Sequence, residues 1–367
     1  MTSASSPGTL GRTGLRTSVI GFGCYRIDDR VPEHHAALKK ALLEGCNLID
    51  TSSNYSDGFS EICVGKVLRD IGPQKDKIIV VSKAGYVQGQ NLKLASEREK
   101  EGRAFPEMVK YMEGCWHCIH PTFLADQLER SLQRLQLKSL DVYLLHNPEY
   151  FLSDALHRGT SAPLTKVREE FYRRIRNAFA YLEDEVSKGR IKSYGVSSNT
   201  FVSPQDDFEA TSATEMWDIA QKLASAHHFS VIQMPGNLFE AGAILEKNNG
   251  PGHSQTVLEF AATKSLGVLI NRPLNVIIGN HLLRLSDYSP QCDVVTKHLD
   301  PFLPQSLRRE SLSRKCLAVL VNTPGISCVL NGMRKTQYVE DSLGVMQLGP
   351  FPVATALYEA FLTASTA

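Results

Sequence analysis

The chain has 367 residues, 42% of them hydrophobic, which is long enough to bury one large core. Its 40 basic and 39 acidic residues leave a formal net charge of +1, so charge gives no case for nucleic acid or an anionic membrane as partner. No apolar run is long enough to span a bilayer. The polar start at residues 1–8 lacks the apolar region of a signal peptide and reads as a disordered lead into a cytoplasmic enzyme.

Gly8–Thr17, with Gly11 and Gly14, suits a small hairpin able to plug the bottom of a barrel. Eight short apolar runs then read as strands: Val19–Phe22, Leu48–Ile49, Ile78–Val81, Asp141–Leu145, Ser193–Val196, Val231–Met234, Val268–Ile270 and Ile326–Leu330. Their near-continuous Val/Ile/Leu character is that of strands buried on both faces. Helical spacing follows each of them, over Glu33–Glu44, Glu61–Leu68 (with Ser60 as its cap), Pro121–Leu135, Arg168–Ser187, Glu215–Ala226, Gln255–Leu266, Ser306–Val321 and Thr336–Met346. Eight strands alternating with eight helices predict a (β/α)8 TIM barrel over residues 9–350, followed by a tail or helix over 351–367. A doubly wound open sheet is the alternative. Three irregular stretches, Gly85–His120, Asn147–Lys166 and Leu274–Pro304, each follow a strand and so extend the catalytic face.

The strand ends carry the chemistry. Asp50 and Tyr55 follow the second strand, Lys83 the third and His146 the fourth. A barrel gathers a carboxylate, a phenol, an ammonium and an imidazole at one mouth. Carbonyl reduction needs a hydride at carbon and a proton at oxygen. Lys83 would lower the pKa of Tyr55, Asp50 would hold Lys83, and His146 would donate to the substrate oxygen or relay a proton. Tyr55 would then serve as general acid in reduction and its anion as base in oxidation.

These segments resemble the aldo-keto reductase family. Ile49-Asp50-Thr51-Ser52-Ser53-Asn54-Tyr55 with Glu61 and Gly65, Val81-Ser82-Lys83, Leu128–Leu132, Asp141–His146 and Gly189–Ser197 are similar to its motifs, in its order. The resemblance implies a (β/α)8 barrel, a nicotinamide-dependent carbonyl reductase, and catalytic roles for Asp50, Tyr55, Lys83 and His146. Relatives that reduce a steroid double bond carry Glu where His146 stands, so a small-molecule carbonyl is the implied substrate. No G-x-G-x-x-G opens a βαβ unit, so the cofactor is expected across the barrel mouth. The resemblance places Gly23, Cys24 and Tyr25 on its first contacting loop, counts Asp50 among its contacts, and assigns Ser197 and Gln233 to its carboxamide. Ser198 stands where Asn is usual, with Asn199 next to it, and Asn271 replaces a stacking Tyr. Arg272-Pro273-Leu274 is similar to a variant whose Arg reaches the pyrophosphate, and Tyr338 and Asp341 match positions near adenine.

Gly332-Met333-Arg334-Lys335-Thr336 leads into a helix whose N-terminal N–H groups suit a phosphate, and Arg334 suits an adenosine 2′-phosphate, favouring NADPH over NADH. Cys115-Trp116-His117-Cys118-Ile119-His120 is a lone C-x-x-C too short for a tetrahedral site, and no metal is expected. Trp116, Tyr86, Phe105, Tyr150 and Phe151 are candidates for an aromatic substrate pocket. His34-His35 and His227-His228 read as surface residues. Two other functions fit the sequence: an NADP(H)-binding regulatory subunit with a protein partner, and a biosynthetic enzyme using the pocket for a non-redox step.

Overall fold

A computed structural model describes residues 8–278, 281–287 and 289–365; the expected lead over 1–8 lies outside the described residues except for Gly8. Eight parallel strands close into a barrel: β1 (Ile20–Gly23), β2 (Leu48–Asp50), β3 (Ile79–Ala84), β4 (Leu140–His146), β5 (Ile191–Ser197), β6 (Phe229–Pro235), β7 (Gly267–Asn271) and β8 (Cys328–Asn331). The order round the barrel is β1-β8-β7-β6-β5-β4-β3-β2, which excludes the open sheet.

The helices are α1 (Pro32–Leu43), α2 (Phe59–Asp70), α3 (Pro121–Leu135), α4 (Leu164–Ser187), α5 (Ala213–Leu223), α6 (Val257–Thr263), α7 (Leu312–Val321) and α8 (Thr336–Gly344). Capping explains where several depart from the sequence pattern. A capping box between Thr256 and Glu259 delays α6, and the Ser311 hydroxyl, accepting from Arg314 N, delays α7. Ser60 is not the cap of α2. It sits inside the helix and donates to Cys24 O at 3.2 Å. Among the described residues no helix is long and apolar enough to cross a membrane.

One glycine marks a close approach. A Cβ at Gly65 would lie 2.6 Å from Arg134 O, so α2 and α3 pack backbone to backbone there. Glu61, buried on α2, accepts from Ser82 at 2.6 Å and from Arg134 Nε at 2.7 Å, tying α2, β3 and α3 together. The bottom of the barrel is closed by Leu10, which packs among Leu48, Ile79, Val81, Val142, Leu144, Val231 and Leu269. A Thr9–Arg16 bridge and a short turn at Gly11–Thr13 hold it there, as the hairpin reading expects.

The stretch 85–120 is not irregular. It forms a three-stranded antiparallel ribbon (Tyr86–Val87, Val109–Met112, Cys115–His117) and a helix (Gly89–Lys100). The stretch after β4 carries a helix at Tyr150–His157, and that after β7 a hairpin and a helix at Cys292–Leu299. A final helix runs over Thr355–Ser365. His34 and His227 are buried, not on the surface: His34 Nδ1 accepts from Asp28 N, and His227 packs edge-on to Trp217.

Candidate active site

Alternation along the strands decides which side chains face the barrel axis. Leu48, Val81, Leu144, Val231 and Leu269 fill the interior. Two residues further along each strand stand Asp50, Lys83, His146, Gln233 and Asn271, with Ser197 beside His146 and Gln233 in the register of β4, β5 and β6. The polar ring is thus the next layer of the same pattern that builds the core.

Its members form a continuous hydrogen-bonded string. Ser197 Oγ donates to Gln233 Oε1 at 2.9 Å, and Gln233 Nε2 donates to Asp50 Oδ1 at 2.7 Å. Lys83 Nζ, fully buried, spends its three N–H groups on Asp50 Oδ2 (2.7 Å), Thr51 O (2.9 Å) and Tyr55 Oη (3.3 Å). Because Tyr55 Oη accepts from the ammonium, its own O–H is left over, and no described residue accepts it. Tyr55 is placed by a sharp turn: Ser56 and Asp57 adopt φ of 48° and 57° before Gly58 opens α2.

Burial pushes the Tyr55 phenol up to about 12, against the opposing pull of the Lys83 charge. The lowering expected from Lys83 is present but outweighed, and the free phenol is protonated at neutral pH. Burial also acts to lower the Lys83 pKa, but the Asp50 and Tyr55 charges win and hold it above its ordinary value. Burial, then Lys83 and His117, push His146 well below the usual imidazole range, so it is neutral.

The ribbon supplies the wall. Tyr86 meets the His146 ring edge-on at 4.7 Å, Tyr55 meets it at 5.7 Å, and Tyr150 packs on Tyr86 at 5.1 Å. Tyr25, 67% exposed, lies edge-on to Tyr55 at 5.3 Å. Trp116 and Phe105 are not pocket residues: the register pairs Trp116 with Val87 on the other face, over a satellite core with Phe105 and Phe123. Phe151 packs on the main core under Arg174. His117, which the sequence offered only as a metal candidate, donates from Nε2 to His146 O at 2.7 Å and stacks on Tyr150. Gly85 makes room for this contact, since a Cβ there would lie 2.4 Å from His146 O. Cys115, Cys118 and His120 are each committed to a different partner, and among the described residues no group of three potential ligands converges.

The expected cofactor residues divide into open and engaged groups. Gly23 and Tyr25 lie at the mouth, whereas the Cys24 side chain is buried in the core. A Cβ at Gly332 would meet open space, and Arg334 and Lys335 have no ion-pair partner among the described residues. Asn271 Oδ1 and Arg272 Nε are buried without a hydrogen-bond partner among the described residues. An unpaired amide acceptor, an unpaired guanidinium N–H and two free cations by the start of α8 fit a dinucleotide laid across the mouth. Other candidates are occupied. Ser198 Oγ bonds Thr211 at 3.0 Å and accepts from Thr200 N, while Asn199 is exposed. Arg272 is divided: its Nη2 pairs with Glu240 at 3.1 Å, while Nε stays open. Leu274 and Tyr338 pack against the core. Asp341 accepts from Ser311 and Ser313 and pairs with Arg314, so its carboxylate is spent within the fold.

The model of the aldo/keto reductase family matches residues 19–271, well over half of the chain, and the chain belongs to that family. It is 28% identical over 216 residues to L-galactose dehydrogenase from Arabidopsis thaliana, covering 53% of this chain and 58% of that protein. It is 26% identical over 198 residues to NADH-specific methylglyoxal reductase from Escherichia coli, covering 52% and 49%. The chain therefore spans about half the length of these relatives. The fold is shared with an aldo-keto reductase from Bacillus halodurans in its holo form (TM-score 0.59, 19% identity, 97% of this chain and 94% of that one). It is also shared with an aldo/keto reductase from Klebsiella pneumoniae in complex with NADP and acetate (TM-score 0.57, 19% identity, 98% and 95%).

Proposed function

We propose that the protein is an NADP(H)-dependent oxidoreductase that interconverts an aldehyde or ketone with its alcohol, lactols included, with Tyr55 as the acid and base. The observation that carries this reading is the Tyr55 hydroxyl, whose oxygen is held by Lys83 at 3.3 Å while its proton stays unspent beside His146. A bound nicotinamide supplies or receives the hydride. In reduction Tyr55 gives its proton to the substrate oxygen, and the adjacent Lys83 ammonium stabilises the phenolate left behind. Asp50 keeps that ammonium charged and aimed, and Gln233 fixes Asp50 from the far side. In oxidation the same phenolate takes the proton back. Tyr25, Tyr86 and Tyr150 bound the space above.

Arg334 and Lys335 are the cations suited to an adenosine 2′-phosphate, and the solved Klebsiella relative is in complex with NADP. A relative named NADH-specific makes the comparison of the two cofactors part of the test. NADPH oxidation is to be followed against a panel of aldehydes and ketones, and NADP+ reduction against alcohols and lactols. Turnover in either direction supports the reading. Tight NADPH binding with no turnover in either panel contradicts it and favours a regulatory subunit. A product lighter by one water contradicts it in favour of a dehydrating enzyme.

A further inference from the structure

We infer that the insertion over 85–120 braces Tyr55 against His146, with Asp57 and His117 as positioning residues for the proton transfer. The brace stands on contacts within the chain; its effect on turnover rests on the oxidoreductase reading above.

The helix of the insertion (Gly89–Lys100) and its ribbon are joined by the satellite core, in which Val87 and Ala95 pack with Phe105, Cys118 and Phe123. One end of this unit holds the turn of Tyr55. Ser56 and Asp57 are consecutive non-glycine residues in the left-handed region, at φ of 48° and 57°. Such a pair is unfavourable by itself and needs ties from outside the turn. Ser56 Oγ donates to Ile27 O at 2.7 Å, and Asp57 Oδ1 accepts from Gln90 N at 2.9 Å. Gly89 lets the helix come this close, since a Cβ there would lie 2.3 Å from Asp57 Oδ1. The carboxylate thus sits at the start of a helix of 12 residues, where free N–H groups favour an anion.

The other end holds His146. Its carbonyl lies one residue beyond Ala84–Leu145, the last register pair of β3 and β4. His117 Nε2 donates to that carbonyl at 2.7 Å. A carbonyl only accepts, so the direction of this bond is fixed. Burial pushes the His117 imidazole down to about 4, so it is neutral at neutral pH and this N–H is its only one. Tyr86, from the same ribbon, lies edge-on to His146 at 4.7 Å and to His117 at 5.8 Å. In the barrel β3 stands between β2 and β4. The insertion that leaves β3 therefore grips the ends of both flanking strands, and the Tyr55 and His146 rings it spans stand 5.7 Å apart.

The test uses the full chain. Asp57→Ala and His117→Phe are each expected to lower kcat about tenfold in both directions, with KM for NADPH unchanged within about twofold. Asp57→Asn keeps the accepting oxygen and His117→Gln supplies an N–H near the same place, and both are expected to bring kcat back to within about threefold of wild type. Wild-type kcat in Asp57→Ala and His117→Phe, or no recovery in the Asn and Gln variants, overturns the proposal. Amide hydrogen exchange read by mass spectrometry, without cofactor, is the second arm. Asp57→Ala is expected to exchange about tenfold faster over residues 55–58 and 89–92, while the barrel strands keep their wild-type protection. Wild-type exchange over 55–58 in that variant overturns the brace. A protein with the expected exchange and no turnover sinks the oxidoreductase reading alone.

Discussion

At Tyr55 two influences oppose each other: burial, which favours the neutral phenol, and Lys83, which favours the anion. The balance leaves a protonated acid in the free protein, poised to donate rather than already ionised. Lys83 can lie fully buried only because all three of its N–H groups are taken, one by the Asp50 carboxylate. A second buried group sits nearby without such compensation. Glu149, 3% exposed, accepts from Asn199 N at 2.7 Å, and burial pushes its carboxyl up to about 7. A raised acid binds its proton more tightly in the folded state, so the fold loses stability as pH rises from the ordinary carboxyl value, 4.5, through about 7. Glu149→Gln keeps the oxygen that accepts from Asn199 and removes the titration. It is expected to stabilise the protein by about 3 kcal/mol in mildly alkaline buffer and by almost nothing at about pH 4, read from denaturant unfolding. Equal effects in both buffers would contradict the assignment. Asp50, Tyr55, Lys83 and His146 are legible in the sequence because each follows a strand by a fixed short interval, and a barrel brings strand ends together. His117 and Glu149 are not, because their contacts are made with partners that meet only once the chain has folded.

Among the elements, the strands of the barrel are the most legible, since a strand buried on both faces leaves a continuous apolar run. The ribbon over 86–117 is not, because its strands are only two to four residues long, too short for a periodic pattern. The two faces of that ribbon divide the aromatic residues: Tyr86 and His117 turn to the site, while Val87 and Trp116 build a satellite core. Asp57, in the turn that carries Tyr55, accepts from Gln90 N at 2.9 Å, so the helix over Gly89–Lys100 is bolted to that turn. The N-terminal hairpin does corresponding work at the other end. Leu10 is fully buried in the barrel floor, and a Cβ at Gly267 would lie 2.8 Å from it. Leu10→Ala is expected to cost about 2–5 kcal/mol of unfolding free energy, measured as a shift in denaturant midpoint. A shift near zero would mean that the plug is dispensable.

Over the whole molecule, the closed parallel barrel sets an apolar interior against one polar rim, and the three long insertions all open on that rim. The near-zero net charge leaves steering of an anionic cofactor to local cations, of which Arg334 and Lys335, at the start of α8, have no ion-pair partner among the described residues. Arg334→Ala is expected to raise KM for NADPH about tenfold and to leave KM for NADH nearly unchanged. Equal losses for both would show that Arg334 does not read the 2′-phosphate. The expected cofactor rim is less legible than the Asp50–Tyr55–Lys83–His146 cluster, because residues such as Asp341 and Ser198 are claimed by neighbours that no local motif reveals. The central claim is that Tyr55 moves the proton while the rest of the rim binds and orients, and its most direct test is Tyr55→Phe. Turnover in both directions is expected to fall at least about a hundredfold, with NADPH affinity, read by cofactor fluorescence, unchanged within about twofold. Full turnover in that variant would contradict the account.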